Sequence, residues 1–195
     1  SHYMSELGWR EFSYYLIFHF PFISNSNFQK KFNDFNWINN EDHIDSWKHG
    51  FTGFPIIDAG MKELWETGFM HNRMRMVVAS FLVKNLLVDW RIGEAWFWDC
   101  LVDADPASNI AGWQWAAGTG ADAAPYFRIF NPILQGEKFD PDGLYTTHYI
   151  PELKNLPTKH LQKPWEYNWG LEYISPVVDY KFSRQRALLA YQDIK

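Results

Sequence analysis

The segment Thr67–Arg91, TGFMHNRMRMVVASFLVKNLLVDWR, decides the fold. From Met76 to Val88 it is almost wholly apolar, yet His71, Asn72, Arg73 and Arg75 stand at its mouth. Such a run predicts a helix from about Met70 to Val88 with little exposed surface. An unpaired charge beside it would be costly, so the polar groups at its entrance require partners elsewhere in the chain. On the N-terminal side, Pro55 begins a helix that runs to about Trp65, and Gly68 is its stop. Residues 3–20 predict an aromatic-rich first helix. Gly93 to Val102 and Phe182 to Tyr191 predict two more, the last amphipathic. Residues 21–42 read as polar loop. Residues 103–132, rich in Gly, Ala and Asn, read as a long connection with one or two short turns, and Pro164 to Pro176 as loop. No alternating strand or internal repeat is legible. The expected class is all-α, a helical bundle-like arrangement with long loops.

A chain of 195 residues suits one domain or part of a larger one, and 47% hydrophobic residues suffice for a sizeable core. The aromatic share is 19%, with 11 Trp, 10 Tyr and 16 Phe. Core packing accounts for such rings, and so does stacking on flat ligands or carrying electrons. A net charge of −5 gives no overall positive field, so any nucleic-acid contact must depend on where the basic residues lie. The single Cys100 excludes an internal disulfide framework and fits a reducing compartment. With no secretory signal read at the start and no apolar run of about 18 residues, the expected setting is intracellular, in the cytoplasm, without a membrane.

Candidate partners for the arginines are Asp103 and Asp105, two acids just after an apolar helix, where the helix dipole disfavours negative charge. Arg75 with Asp103 is the first pairing; an exposed acidic turn is the plainer alternative. Metal-ligand clusters are missing, so no metal site is expected. Trp113 and Trp115 in GWQW, Trp90 in VDWR and Trp37 in FNWINN sit among small or polar residues. In SELGWREF, Glu6 and Arg10 lie one helical turn apart with Trp9 between them; either they form a surface pair or Trp9 walls a pocket. Arg128, Gln135 and Lys138 are interleaved with rings in PYFRIFNPILQGEKFDP, read as a Pro/Gly-rich loop, a pattern suited to unstacked nucleic acid.

Together the blocks ELGWREF, TGFPIIDAGMKEL, TGFMHNRMRMVVASFLVKNLLVDWR, GWQWAAGTGADAAPYFRIFNP, QGEKFDPDG and YIPEL resemble the photolyase/cryptochrome family, over most of the chain and in order. They match the carboxy-terminal part of its FAD-binding helical domain, and photolyases of cyclobutane pyrimidine dimers most of all. The resemblance makes residues 1–195 that portion of the catalytic domain. The amino-terminal antenna domain, with its second chromophore, and the segment that grips the FAD phosphates would lie in a missing N-terminal part of the same protein, and the protein would be a monomer.

The resemblance implies that FAD sits in a cavity lined by Arg10, Asn72, Arg75, Asp103, Asp105 and Asn109, with Asn109 beside flavin N5. Trp37, Trp90 and Trp113 would relay an electron from the surface to photoexcited flavin. Glu6, Trp9, Asn72, Arg73, Met76 and Trp115 would face a flipped-out dimer, and Arg128 and Gln135 the surrounding DNA backbone. The implied activity is light-driven dimer repair by electron transfer from reduced FAD, as a deoxyribodipyrimidine photo-lyase. A cryptochrome-type blue-light receptor and a non-catalytic DNA-binding fragment are the alternatives. Phe69, where Trp is common, and Ile110 and Ala111, beside Asn109, depart from the family pattern.

Overall fold

A computed structural model describes residues 2–126, 128–167 and 173–194. It bears out the all-α class: among the described residues there is no strand, and nine α-helices carry the architecture. They are α1 (His2–His19), α2 (Glu41–His49), α3 (Pro55–Thr67), α4 (Asn72–Ser80), α5 (Trp90–Cys100), α6 (Pro106–Ala117), α7 (Pro132–Phe139), α8 (Leu144–Tyr149) and α9 (Tyr180–Gln192).

Local chemistry sets the helix ends. Pro55 enters α3, whose missing N–H is unneeded in the first turn, and Gly68 ends it at φ +68°, a conformation costly for other residues. Asn40, Asp89, Asp105, Asn131 and Asp179 each cap a helix by accepting a backbone N–H. His71 does the same for α4 through its ring.

The main core gathers α3, α4 and α5 with parts of α2 and α6. Trp47 is fully buried there, and its indole N–H donates to Val78 O at 3.0 Å, tying α2 to α4. A smaller aromatic cluster joins Phe32 and Phe35 to Tyr126 and α9. A third lies beneath α8, around Ile150 and Leu153.

Two expectations need correction. The helix expected from Met70 to Val88 is not continuous: α4 ends at Ser80, a π-helical turn spans Phe81–Asn85, and Leu87 adopts a positive φ of 53°. This wider turn carries two buried polar side chains to partners on other segments. Lys84 Nζ donates to Arg128 O at 2.9 Å, and Asn85 Nδ2 to Ser183 Oγ at 2.9 Å. Buried polar groups demand such partners, and a π turn is a common way to aim them.

The second correction concerns residues 103–132, which contain the twelve-residue helix α6 rather than a loop with short turns. Asp105 caps it, Pro106 occupies its first turn and Gly118 closes it at φ +83°. Trp113 and Trp115 are thus helical residues. Likewise Gln135 and Lys138 stand on helix α7 and not in a loop. The last helix begins at Tyr180, two residues earlier than expected.

Candidate functional site

Helices α1, α4 and α6 and the residues just before α6 enclose a cleft of about 700 Å³. That size is ordinary for a cofactor or substrate site. Its polar edge comes from Arg75, Asp103, Asp105 and Asn109, while Phe97, Leu101 and Trp113 give it an apolar floor.

Arg75 answers the question posed by the sequence. Its Nη2 donates to both Asp103 oxygens, at 3.0 and 2.9 Å, and its Nε to Met70 O at 2.7 Å. The pair is not deeply buried. The Asp103 side chain is 52% exposed and that of Arg75 27%, so the ion pair faces the cleft and remains accessible to a ligand. Asp105 has two duties: Oδ1 caps α6 by accepting Ser108 N–H at 2.7 Å, and Oδ2 accepts the Tyr14 hydroxyl. Desolvation pushes the Asp105 carboxyl up, but the bonds from Tyr14 and Ser108, with Arg10 nearby, outweigh it and hold the group below its ordinary value. The same bond to Asp105 raises the Tyr14 phenol.

On α1, Glu6, Trp9 and Arg10 border the cleft, and Trp115 on α6 and Met76 on α4 border it too. Trp9 and Trp115 thus share one concave surface although 106 positions separate them in sequence. Arg10 pairs with the adjacent Glu11 at 3.1 Å. Asn72 lies at the exposed start of α4 and also lines the cleft.

Other expected site residues stand outside it. Arg73 places its guanidinium over the Phe139 ring at 4.7 Å. Arg128 is exposed, with its carbonyl held by Lys84. Gln135 is half-buried on α7.

Of the three tryptophans of the expected relay, Trp37 is half-buried and Trp90 and Trp113 are buried. Trp37 is half-buried beside Phe35, with ring centroids 4.4 Å apart. Its segment is tied to the start of α5 by Ile38 N–H to Leu87 O and Asp89 N–H to Asn39 Oδ1, both 2.8 Å. Trp90, at the start of α5, is fully buried and donates its indole N–H to Asn27 Oδ1 at 2.9 Å. One turn on, Gly93 lies directly against the ring of Trp113, which reaches the cleft.

Sequence reading missed several supports. Gln114 is buried: its Nε2 donates to Ile23 O and its Oε1 accepts Phe28 N–H, fixing the wall formed by residues 23–28. Trp47 lies 6.0 Å from Trp113, ring to ring. Tyr14 and Glu94 grip Asp105 and Asn109. None of these pairings has a sequence period that announces it. Among the described residues no His/Cys/Asp/Glu group would hold a metal ion, and no helix is long and apolar enough to cross a membrane.

The helical fold is that of the photolyase FAD-binding family. The profile of the FAD binding domain of DNA photolyase matches residues 3–193, and the chain belongs to that family. It is 53% identical to the deoxyribodipyrimidine photo-lyase of Agrobacterium fabrum, over all of this chain and 43% of that protein. It is 47% identical to that of Escherichia coli, over 97% of this chain and 41% of that one. Among solved structures, a class III photolyase of Agrobacterium tumefaciens superposes at a TM-score of 0.94, with 53% identity over 99% of this chain and 42% of that one. The Synechocystis cryptochrome superposes at 0.88, with 37% identity over 98% and 41%. The chain therefore spans about two fifths of the length of these relatives.

Proposed function

We propose that the chain forms the flavin-ring and lesion side of a light-driven repair enzyme for cyclobutane pyrimidine dimers in DNA. One observation carries the reading: a single cleft is bordered both by the Arg75–Asp103 pair with Asn109 and by Trp9, Trp115, Glu6 and Met76. The first group suits a polar heteroaromatic cofactor edge, and the second a pair of unstacked bases.

The residues present fit FAD. The apolar floor of the cleft suits the ring system, the Arg75 guanidinium and the Asp103 and Asp105 carboxylates offer donors and acceptors, and Asn109 offers an amide beside them. When bound, FAD supplies light absorption and one-electron chemistry that no side chain here can perform. The protein orients and insulates. Trp9 and Trp115 stack on extruded bases, recovering part of the unstacking cost at ~1–3 kcal/mol per base. Glu6 accepts a hydrogen bond from a base edge. Trp113, Trp90 and Trp37 carry an electron inward from the partly exposed end, so that a spent cofactor is restored. Arg128 and Gln135, outside the cleft, face the DNA backbone around the lesion, and Arg73, held over Phe139 rather than in the cleft, joins them instead of facing the dimer.

The exposed aromatic residues of α1, among them Tyr3, Tyr15 and Phe18 at 70%, 56% and 80% exposure, form a face that stays open in this chain. We place against it the part of the protein corresponding to the remaining three fifths of the relatives, which also carries the phosphate grip and a second chromophore. Likeness to the Synechocystis cryptochrome supports a second reading, a blue-light receptor. Asn109 and Trp115 favour repair, since plant cryptochromes similar to this sequence carry Asp and Tyr there.

The test is to graft the chain in place of the matching segment of the Agrobacterium photo-lyase and follow FAD through purification. Stoichiometric FAD, lost on Arg75→Ala, supports the assignment. A folded graft that excludes FAD refutes it.

A further inference from the structure

A second pocket, of about 710 Å³, opens between α9 and residues 31–38 and shares no lining residue with the cleft. That volume is ordinary for a small-molecule site. Ile38, Leu87, Phe182 and Leu189 give it apolar walls, and all but Leu87 are exposed. Leu87 holds its φ of 53° there, backbone strain of a kind that gathers at ligand sites.

The cations of this pocket lack acidic partners. Arg186 Nη2 donates to Asn85 O at 2.7 Å, while its Nε is buried and meets no acceptor among the described residues. Burial holds the guanidinium below its ordinary value, and only the Tyr126 phenol opposes that; no carboxylate does. The same charge reaches His43, whose ring is pushed down first by burial and then by Arg186. Lys31 Nζ donates to the Tyr191 hydroxyl at 3.0 Å, a neutral partner. Asp34 and Asp193 also line the pocket, yet neither lowers the cost of burying Arg186.

We propose that this pocket is a second ligand site, independent of the flavin reading, for a planar organic anion: a flat ring lies against the apolar walls and its carboxylate or phosphate meets the Arg186 guanidinium. A half-buried cation without a counter-charge is costly, and an oxyanion of a ligand is the partner that the chain itself does not provide. The guanidinium fork matches the paired oxygens of either acid. Both parts of the ligand are needed. A neutral ring would leave Arg186 uncompensated, and a bare inorganic ion would leave Ile38, Phe182 and Leu189 in water.

The test needs no flavin. The chain, labelled at its Ile and Leu methyl groups, is titrated with 2-naphthoate, 2-naphthyl phosphate and the neutral 2-naphthamide, and the methyl shifts are followed by NMR. At least one of the two acids should shift the methyls of Ile38, Leu87 and Leu189 with a Kd below about 1 mM, and the tighter of the two identifies the acid group that the site takes. The amide should bind at least about tenfold more weakly, since it lacks the charge-assisted bond to Arg186. Removing Arg186 would also remove its bond to Asn85 O, so the informative variant is Gln185→Glu. This exposed residue lines the same pocket, and a carboxylate there supplies Arg186 with an internal partner. Gln185→Glu should weaken the acid about tenfold and leave the amide unchanged. Equal binding of acid and amide, shifts confined to methyls of the cleft such as Leu16 and Ile110, or an acid affinity unchanged in Gln185→Glu would each overturn the proposal, as would the absence of any shift with both acids.

Discussion

Gly93→Ala tests the contact that brings Trp113 to the cleft. A Cβ at Gly93 would stand 2.7 Å from Leu82 Cδ2 and closer still to Cη2 and Cζ3 of Trp113. Ordinary van der Waals contacts begin near 3.4 Å, so at least one neighbour must move. Trp113 has little room to retreat: it is buried, with Phe97 4.9 Å and Trp47 6.0 Å away, both edge-on. Such overpacking costs about 1–3 kcal/mol, and the large overlap with two ring atoms puts this site at the upper end. Ala gains up to about 1 kcal/mol over Gly in a helix interior, too little to cancel it. The net expectation is a loss of about 2 kcal/mol, or a fall in Tm of roughly 4–8 °C for a domain of this size. The assay is denaturant unfolding of a double-mutant cycle with Trp113→Phe. A phenyl ring lacks the benzo atoms that clash, so Gly93→Ala should cost at least about 1 kcal/mol less in that background. A Gly93→Ala variant as stable as the parent, or additive losses in the cycle, would refute the placement of Trp113 against α5.

Because the Arg75–Asp103 pair is partly exposed, Asp103→Ala should cost only about 1 kcal/mol of stability, well below the 3–5 kcal/mol typical of a fully buried pair, while flavin retention by the graft falls sharply; denaturant unfolding and the flavin spectrum read the two separately. Burial lowers Lys84 to about 8. Between that pH and the ordinary lysine value near 10.5, the unfolded chain binds more protons than the folded one, so stability should rise with pH from about 8 toward 10, by ~2–3 kcal/mol, and Lys84→Met should flatten that rise. Trp9→Ala or Trp115→Ala should weaken binding of dimer-containing DNA by roughly 1–3 kcal/mol and leave undamaged duplex almost unaffected, as read by competition titration; equal losses on both would make the rings structural.

The helical class, the ends of α3 and the pairing of Arg75 with Asp103 were legible because each has a local signal: an apolar run, Pro and Gly at helix termini, and opposite charges at the ends of two apolar helices, although the pair proves partly exposed and not buried as the sequence argument assumed. Helix α6 was obscured by its composition. Its Ala, Gly, Ser and Asn residues give almost no hydrophobic period, and the rings of Trp113 and Trp115 seemed to belong to a loop. The sequence Asp105-Pro106, closed by Gly118, was the available clue, an N-cap, a first-turn proline and a terminal glycine. Asn131-Pro132 marked α7 in the same way. The π turn was not legible, since its cause lies in the partners of Lys84 and Asn85, which are 44 and 98 positions away. Tyr14 with Asp105 and Glu94 with Asn109 are tertiary pairings of the same kind, visible only once α1 and α5 are packed against α6.

The central claim, that this cleft presents a dimer to a flavin for light-driven repair, is tested most directly by illuminating the grafted protein. FAD is first reduced, a thymine-dimer oligonucleotide is added, and intact thymines are counted in light and in darkness. The account predicts that dimers disappear in light only, and that Trp113→Phe leaves this repair largely unchanged because the cofactor is already reduced. A graft that holds reduced FAD and binds the damaged strand, yet leaves every dimer closed under blue light, would contradict it.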